Sequence, residues 1–101
     1  MKLNMSSLKF DADQKLLEFI QKKADKLDLF FDNIIDGEVN MKIEKSGGQE
    51  NKIVEMKLNV PGTTLFAKEQ GKSFEAAADE AVEALRRQLK KYKGKKVAKA
   101  S

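Results

Sequence analysis

Apolar and polar residues alternate in two distinct rhythms along this chain, and the rhythms divide it into six elements. Leu3 and Met5 alternate with Lys2 and Asn4, and after a shift at Ser6-Ser7 so do Leu8 and Phe10, which predicts an opening strand. Asp11 or Asp13 then caps a helix running to about Asp28. Spaced at about 100° per residue, Leu16, Leu17, Ile20, Ala24 and Leu27 fall on one arc, the mark of a helix with a single buried face. Lys15, Lys22 and Lys26 share one flank of that helix with Lys23 near its edge, and Glu18, Asp25 and Asp28 share the other.

From Ile34 to Lys45 the period becomes two. Val39, Met41 and Ile43 take one face, and Glu38, Asn40, Lys42 and Glu44 the other, as in a half-buried strand. A glycine-containing hairpin loop over Ser46 to Asn51 leads to a second alternation, Val54, Met56, Leu58 and Val60 against Glu55, Lys57 and Asn59, so these two strands are expected to pair antiparallel. Pro61-Gly62 fits the centre of a type II turn, Pro pre-setting φ and Gly taking the positive value. A fourth strand follows over Thr64 to Glu69 and ends at Gly71. Ser73 is a good N-cap for a last helix whose apolar arc is Phe74, Ala77, Ala78, Ala81, Val82, Leu85, Leu89 and Tyr92, with Gly94 a stop and 95–101 a disordered basic tail. The order β-α-β-β-β-α, with one apolar face per strand, predicts an α/β (α+β) two-layer sandwich: one domain over 1–94, both helices on one face of a four-stranded sheet.

The 101 residues and 41% apolar content suit one domain with one core. Without Cys or His, thiolate nucleophiles, imidazole bases and the usual zinc sites are closed to this chain, while carboxylate chemistry stays open to it. No apolar run reaches signal-peptide or membrane-span length, so a cytoplasmic protein is expected. The acids Asp79 and Glu83 lie early in the last helix, where the helix dipole alone accounts for them. Gly47-Gly48 lacks the spacing and the Lys-Ser/Thr of a phosphate loop. Phe30 and Phe31 could stack on bases, but at the end of an amphipathic helix at least one of them reads first as core.

Charge changes the picture more. The chain carries 20 basic and 16 acidic side chains, and eight of the basic ones lie from Leu85 onward with no acid among them. The part before Leu85 therefore has twelve cations against all sixteen acids: an acidic body with one cationic end. A merely solubilising surface mixes signs, whereas Arg86, Arg87, Lys90, Lys91 and Lys93 repel one another and make a field that recruits polyanions, nucleic acid first. If all eight met phosphates, the log of affinity would fall against log salt with a slope of about −7 on a duplex.

Three stretches then resemble a known family: the run from Lys23 to Phe31, the Val60-Pro61-Gly62 turn, and the closing helix from Ser73 through Leu85-Arg86-Arg87-Gln88-Leu89-Lys90-Lys91-Tyr92-Lys93. Together they resemble the ribosome hibernation-promoting factors, over nearly the whole chain. The resemblance implies the same sandwich fold and no cofactor or reaction; the free protein is expected to be a monomer. It implies binding in the mRNA and tRNA channel of the small ribosomal subunit, silencing translation in starvation or stationary phase. It also implies that Lys22, Lys23, Lys26, Arg86, Arg87, Lys90, Lys91 and Lys93 contact rRNA phosphates. The chain looks like a short form, without the C-terminal domain through which long members pair ribosomes. It departs from the family in having Ala78 before Asp79, where an Ile is common. Two other readings stand beside this one: a general double-stranded RNA binding module, and an interaction protein whose cationic end grips an acidic partner.

Overall fold

The computed structural model describes residues 1–100, with the side chains of 46, 49 and 95–100 outside the description. Six elements follow one another: β1 (Leu3–Leu8), α1 (Gln14–Phe30), β2 (Asp36–Ser46), β3 (Gln49–Val60), β4 (Thr63–Gly71) and α2 (Phe74–Ala100). The four strands form one sheet in the order β1-β2-β3-β4. β1 runs parallel to β2, as a strand-helix-strand crossover requires, and the remaining pairs are antiparallel hairpins.

Local chemistry explains the boundaries. Of the two possible caps for α1, Asp13 is the one used: its carboxylate accepts the Leu16 N–H at 2.8 Å. Ser73 does the same for α2, accepting the Ala76 N–H at 3.1 Å. The first hairpin closes tightly, with Ser46 paired to Gln49 and both loop glycines at positive φ, 59° and 80°. The second closes over Pro61-Gly62, where Gly62 takes φ 86° as a type II turn demands.

Two expectations are corrected, at the ends of β1 and of α2, and one buried residue, Ile53, lies outside the expected pattern. The phase shift at Ser6-Ser7 is not taken, because the parallel register with β2 is unbroken from Leu3 to Leu8. Ser7 thus shares the inward side with Leu3 and Met5, and Leu8 points out and stays 58% exposed. The chain turns one residue later, at Lys9 with φ 67°, and this delivers Phe10 onto Phe74, their rings stacked 4.7 Å apart. Ile53 breaks the alternation of β3: it lies on the outward side, beside Lys42 and Gln70 in register, yet is only 1% exposed. Finally, the α2 backbone stays helical past Gly94 to Ala100, so Gly94 is not the stop expected there, and Ser101 of the expected tail lies outside the described residues. A glycine inside a helix costs about 1 kcal/mol relative to Ala and does not by itself end it.

Both helices share one core with the inward residues of the sheet. Leu16, Ile20, Leu27 and Phe31 from α1 and Ala77, Ala81, Leu85 and Leu89 from α2 join Val39, Met41, Val54, Met56 and Leu58. α2 reaches the edge of β4 at one residue: the Gln88 side-chain amide donates to the Phe66 carbonyl at 2.7 Å and accepts the Phe66 N–H at 3.3 Å. Near the end of the cationic run, Tyr92 donates to the Pro61 carbonyl at 2.5 Å and meets Phe31 edge to face. These contacts seat the C-terminal half of α2 on the sheet rather than leaving it free.

Candidate nucleic-acid interface

Helical spacing decides which cations share a surface. On α1, Phe19, Lys23, Lys26 and Phe30 recur every three or four residues and so form one row. Lys23 pairs with Asp79 of α2 at 3.0 Å, and the Phe30 carbonyl accepts from Lys93 of α2 at 3.3 Å. The row therefore faces α2, and the two helices lie side by side pointing the same way. On α2, Asp79, Arg86 and Lys93 are seven apart, about two helical turns, so they too form one row, with Asp79 and Lys93 against α1. Lys26 and Arg86 consequently sit on opposite banks of the interhelical seam, between its two ties. Lys90 lies next to the α2 row on its outer side, Arg87 and Lys91 continue over the solvent face, and Lys22 does so on α1.

All eight cations implied by the resemblance thus belong to the helix layer, away from the open face of the sheet. Their states differ. Lys22, Lys26, Arg87, Lys90 and Lys91 are exposed and make no ion pair among the described residues. Arg86 is exposed with its guanidinium 3.1 Å from Glu83 one turn back, a pair that water screens and a phosphate can replace. Lys23 is half-buried, held by Asp79 and lying over the Phe19 ring at 5.6 Å. Lys93 is exposed, but its ammonium is engaged with the Phe30 carbonyl and the rings of Phe30 and Phe31. The supporting roles of Phe19 and Phe30 were not part of the expected site. The spacing of Phe19 four before Lys23 carried a signal for the first, but Phe30 and Lys93 are 63 residues apart.

The acidic flank of α1 faces the other way. The amino group of Met1 bonds to Asp25 at 2.9 Å and also to Asp28, and Gln21 donates to the Met1 carbonyl at 2.9 Å. Asp28, chiefly, and Asp25 hold the amino group above its usual range. Partial burial works against ionisation of Asp25, yet hydrogen bonds from Met1 and Gln21 leave its carboxyl below the usual carboxylate range. Both acids thus lie on the flank of α1 away from the seam, paired with the chain's own amino group. No group of three or more His, Cys, Asp or Glu among the described residues is placed to hold a metal ion, and no helix among them is long and apolar enough to cross a membrane.

The helix layer of this α/β sandwich presents five exposed cations with no ion pair among the described residues, a surface whose field attracts polyanions. The chain matches the family model described as "Sigma 54 modulation protein / S30EA ribosomal protein" over residues 3–97. It belongs to this family. Among curated relatives it is 32% identical over 90 residues to the ribosome hibernation promotion factor of Deinococcus radiodurans, covering 88% of this chain and 47% of that protein. This chain thus spans about half the length of that relative. Against the ribosome hibernation promoting factor of Pseudomonas putida (strain KT2440), identity is 33% over 95 residues, with 94% of this chain and 89% of the relative covered. Among solved structures, a ribosomal subunit interface protein from Coxiella burnetii superposes with TM-score 0.83 at 26% identity, covering 93% of this chain and 99% of that one. The N-terminal domain of Thermus thermophilus Protein Y shares the fold, with TM-score 0.79 at 22% identity over 91% of this chain and 99% of its own.

Proposed function

We propose that this protein is a ribosome hibernation factor that acts by occlusion: it binds rRNA of the small subunit in the channel used by mRNA and tRNA and so inhibits translation in starved or stationary cells. The observation that carries the reading is the group of exposed, unpaired cations, Lys22, Lys26, Arg87, Lys90 and Lys91, with Arg86 on the same layer of a fold shared with ribosome-associated relatives. Folded RNA is gripped through its phosphates and its shape, and a rigid two-helix layer offers charge at fixed spacing for that purpose. Catalysis has no part in the reading, and the place of action is the cytoplasm, with the ribosomes. Purified small subunits titrated with the protein at several salt concentrations test it. Binding tighter than to a plain RNA duplex, a steep negative salt slope and falling synthesis in a translation extract are expected. Equal affinity for the duplex would favour the general double-stranded RNA module instead, and a slope near zero would remove the phosphate argument.

A further inference from the structure

We infer that Lys93, with Lys23 as its counterpart at the other end of the seam, is a positioning residue that straps α1 to α2, and that it does not itself contact phosphate. The inference rests on the RNA-binding reading above and divides its eight cations into two kinds.

The last turn of α1 contains no basic residue of its own and does contain Asp28, an arrangement at odds with the negative end of the helix dipole. Lys93 supplies the missing charge from the neighbouring helix. Its ammonium donates to the Phe30 carbonyl at 3.3 Å, at the end of α1 where carbonyls lack helical partners. The same ammonium lies 5.3 Å from the centre of the Phe30 ring and 5.9 Å from that of Phe31, both within the range of cation–π attraction. Phe31 is itself fixed, its N–H bonded to the Leu27 carbonyl at 2.8 Å and its ring against Tyr92. One side chain thus meets three electron-rich groups at a helix end. At the other end, Lys23 is held between Asp79 and the ring of Phe19. The ties bracket Lys26 and Arg86, and their effect is to fix the spacing of α1 cations relative to α2 cations.

A strap, a phosphate ligand and a residue of purely structural importance give different results when the charge is removed and the stem kept, as in Lys93→Met. Each phosphate left without its cation reduces the salt slope by about 0.7 to 0.9. A strap leaves the slope unchanged and lowers affinity at every salt concentration by about two- to fivefold, the strength of an exposed cation–π contact. Lys93→Arg, which retains both charge and ring stacking, restores affinity. For small subunits titrated with wild type, Lys93→Met and Lys93→Arg, the expected result is parallel lines, with only Lys93→Met displaced. A slope reduced by about one phosphate overturns the inference, and so does unchanged affinity with only a lowered melting temperature. Hydrogen exchange of the free protein provides a reading that needs no ligand: the Phe31 amide exchanges faster in Lys93→Met and not in Lys93→Arg. Wild-type protein that fails to bind subunits defeats the ribosome reading alone, and unchanged exchange at Phe31 then defeats the strap separately.

Discussion

The open face of the sheet and the outer surface of the helix layer both display several lysines to solvent, but only one of them is a candidate site. On the sheet, Lys42 lies 3.6 Å from both Glu44 and Glu55, Lys68 lies 3.7 Å from Glu55, and Lys57 stands opposite Glu38 in register. Across the helices, Lys22, Lys26, Arg87, Lys90 and Lys91 make no ion pair among the described residues. The difference lies in interleaving rather than in number. A two-residue period sets lysine beside glutamate on adjacent strands and cancels the field locally. The helical period on α2 instead confines acids to its first half and leaves its second half to cations.

The largest expected effect comes from removing what lies beneath the charged surface. Leu89→Ala deletes a fully buried side chain under the cationic half of α2 and is expected to cost about 2–5 kcal/mol in denaturant unfolding. Ile53→Ala, under the mixed charges of the open face and outside the main core cluster, is expected to cost less, because long flexible side chains close over the gap. Equal losses would mean that Ile53 belongs to a second core and that the two faces are not as unlike as described.

Next is a direct contrast of charge. Arg87→Gln, Lys90→Gln and Lys91→Gln together are expected to reduce the salt slope for small-subunit binding by about 2 to 3. Lys42→Gln, Lys57→Gln and Lys68→Gln remove as many positive charges from the sheet and are expected to leave that slope unchanged. A similar drop in both sets would reduce the comparison to net charge alone.

The smallest effect concerns pH. The Met1 amino group is held above 8.0, so its tie to α1 contributes fully below that pH and is lost as pH rises through the raised value. Asp25 is held below 3.8, so its share is present above that pH and is lost as pH falls through the lowered value. Thermal unfolding across pH should therefore show this contribution constant between about 4 and 8, with a loss on either side that Asp25→Asn and Asp28→Asn together abolish.

Much of this was legible in the sequence, for a physical reason: one-sided burial writes its period into the chain. The arc of Leu16, Ile20, Ala24 and Leu27, the alternation from Val39 to Val60 and the Pro61-Gly62 turn each depend on neighbours a few residues away. Features that depend on distant partners were not legible. Ser7 faces inward because β2 fixes its register, not because of its neighbours in sequence. Ile53 is buried on a face whose pattern reads as polar. The division of the cations was hidden for the same reason: Arg87 and Lys93 look alike in a charge run, and only the packing of α1 against α2 brings a helix end to one of them.

Gln88 has a consequence for the way this sheet ends. Its amide matches the donor and acceptor that Phe66 presents at the outer margin of β4 and takes the bonds that a strand from a second copy would seek there. At this one position of the β4 edge a glutamine thus occupies the place a fifth strand would take, so that a strand from another copy would have to displace it to pair there.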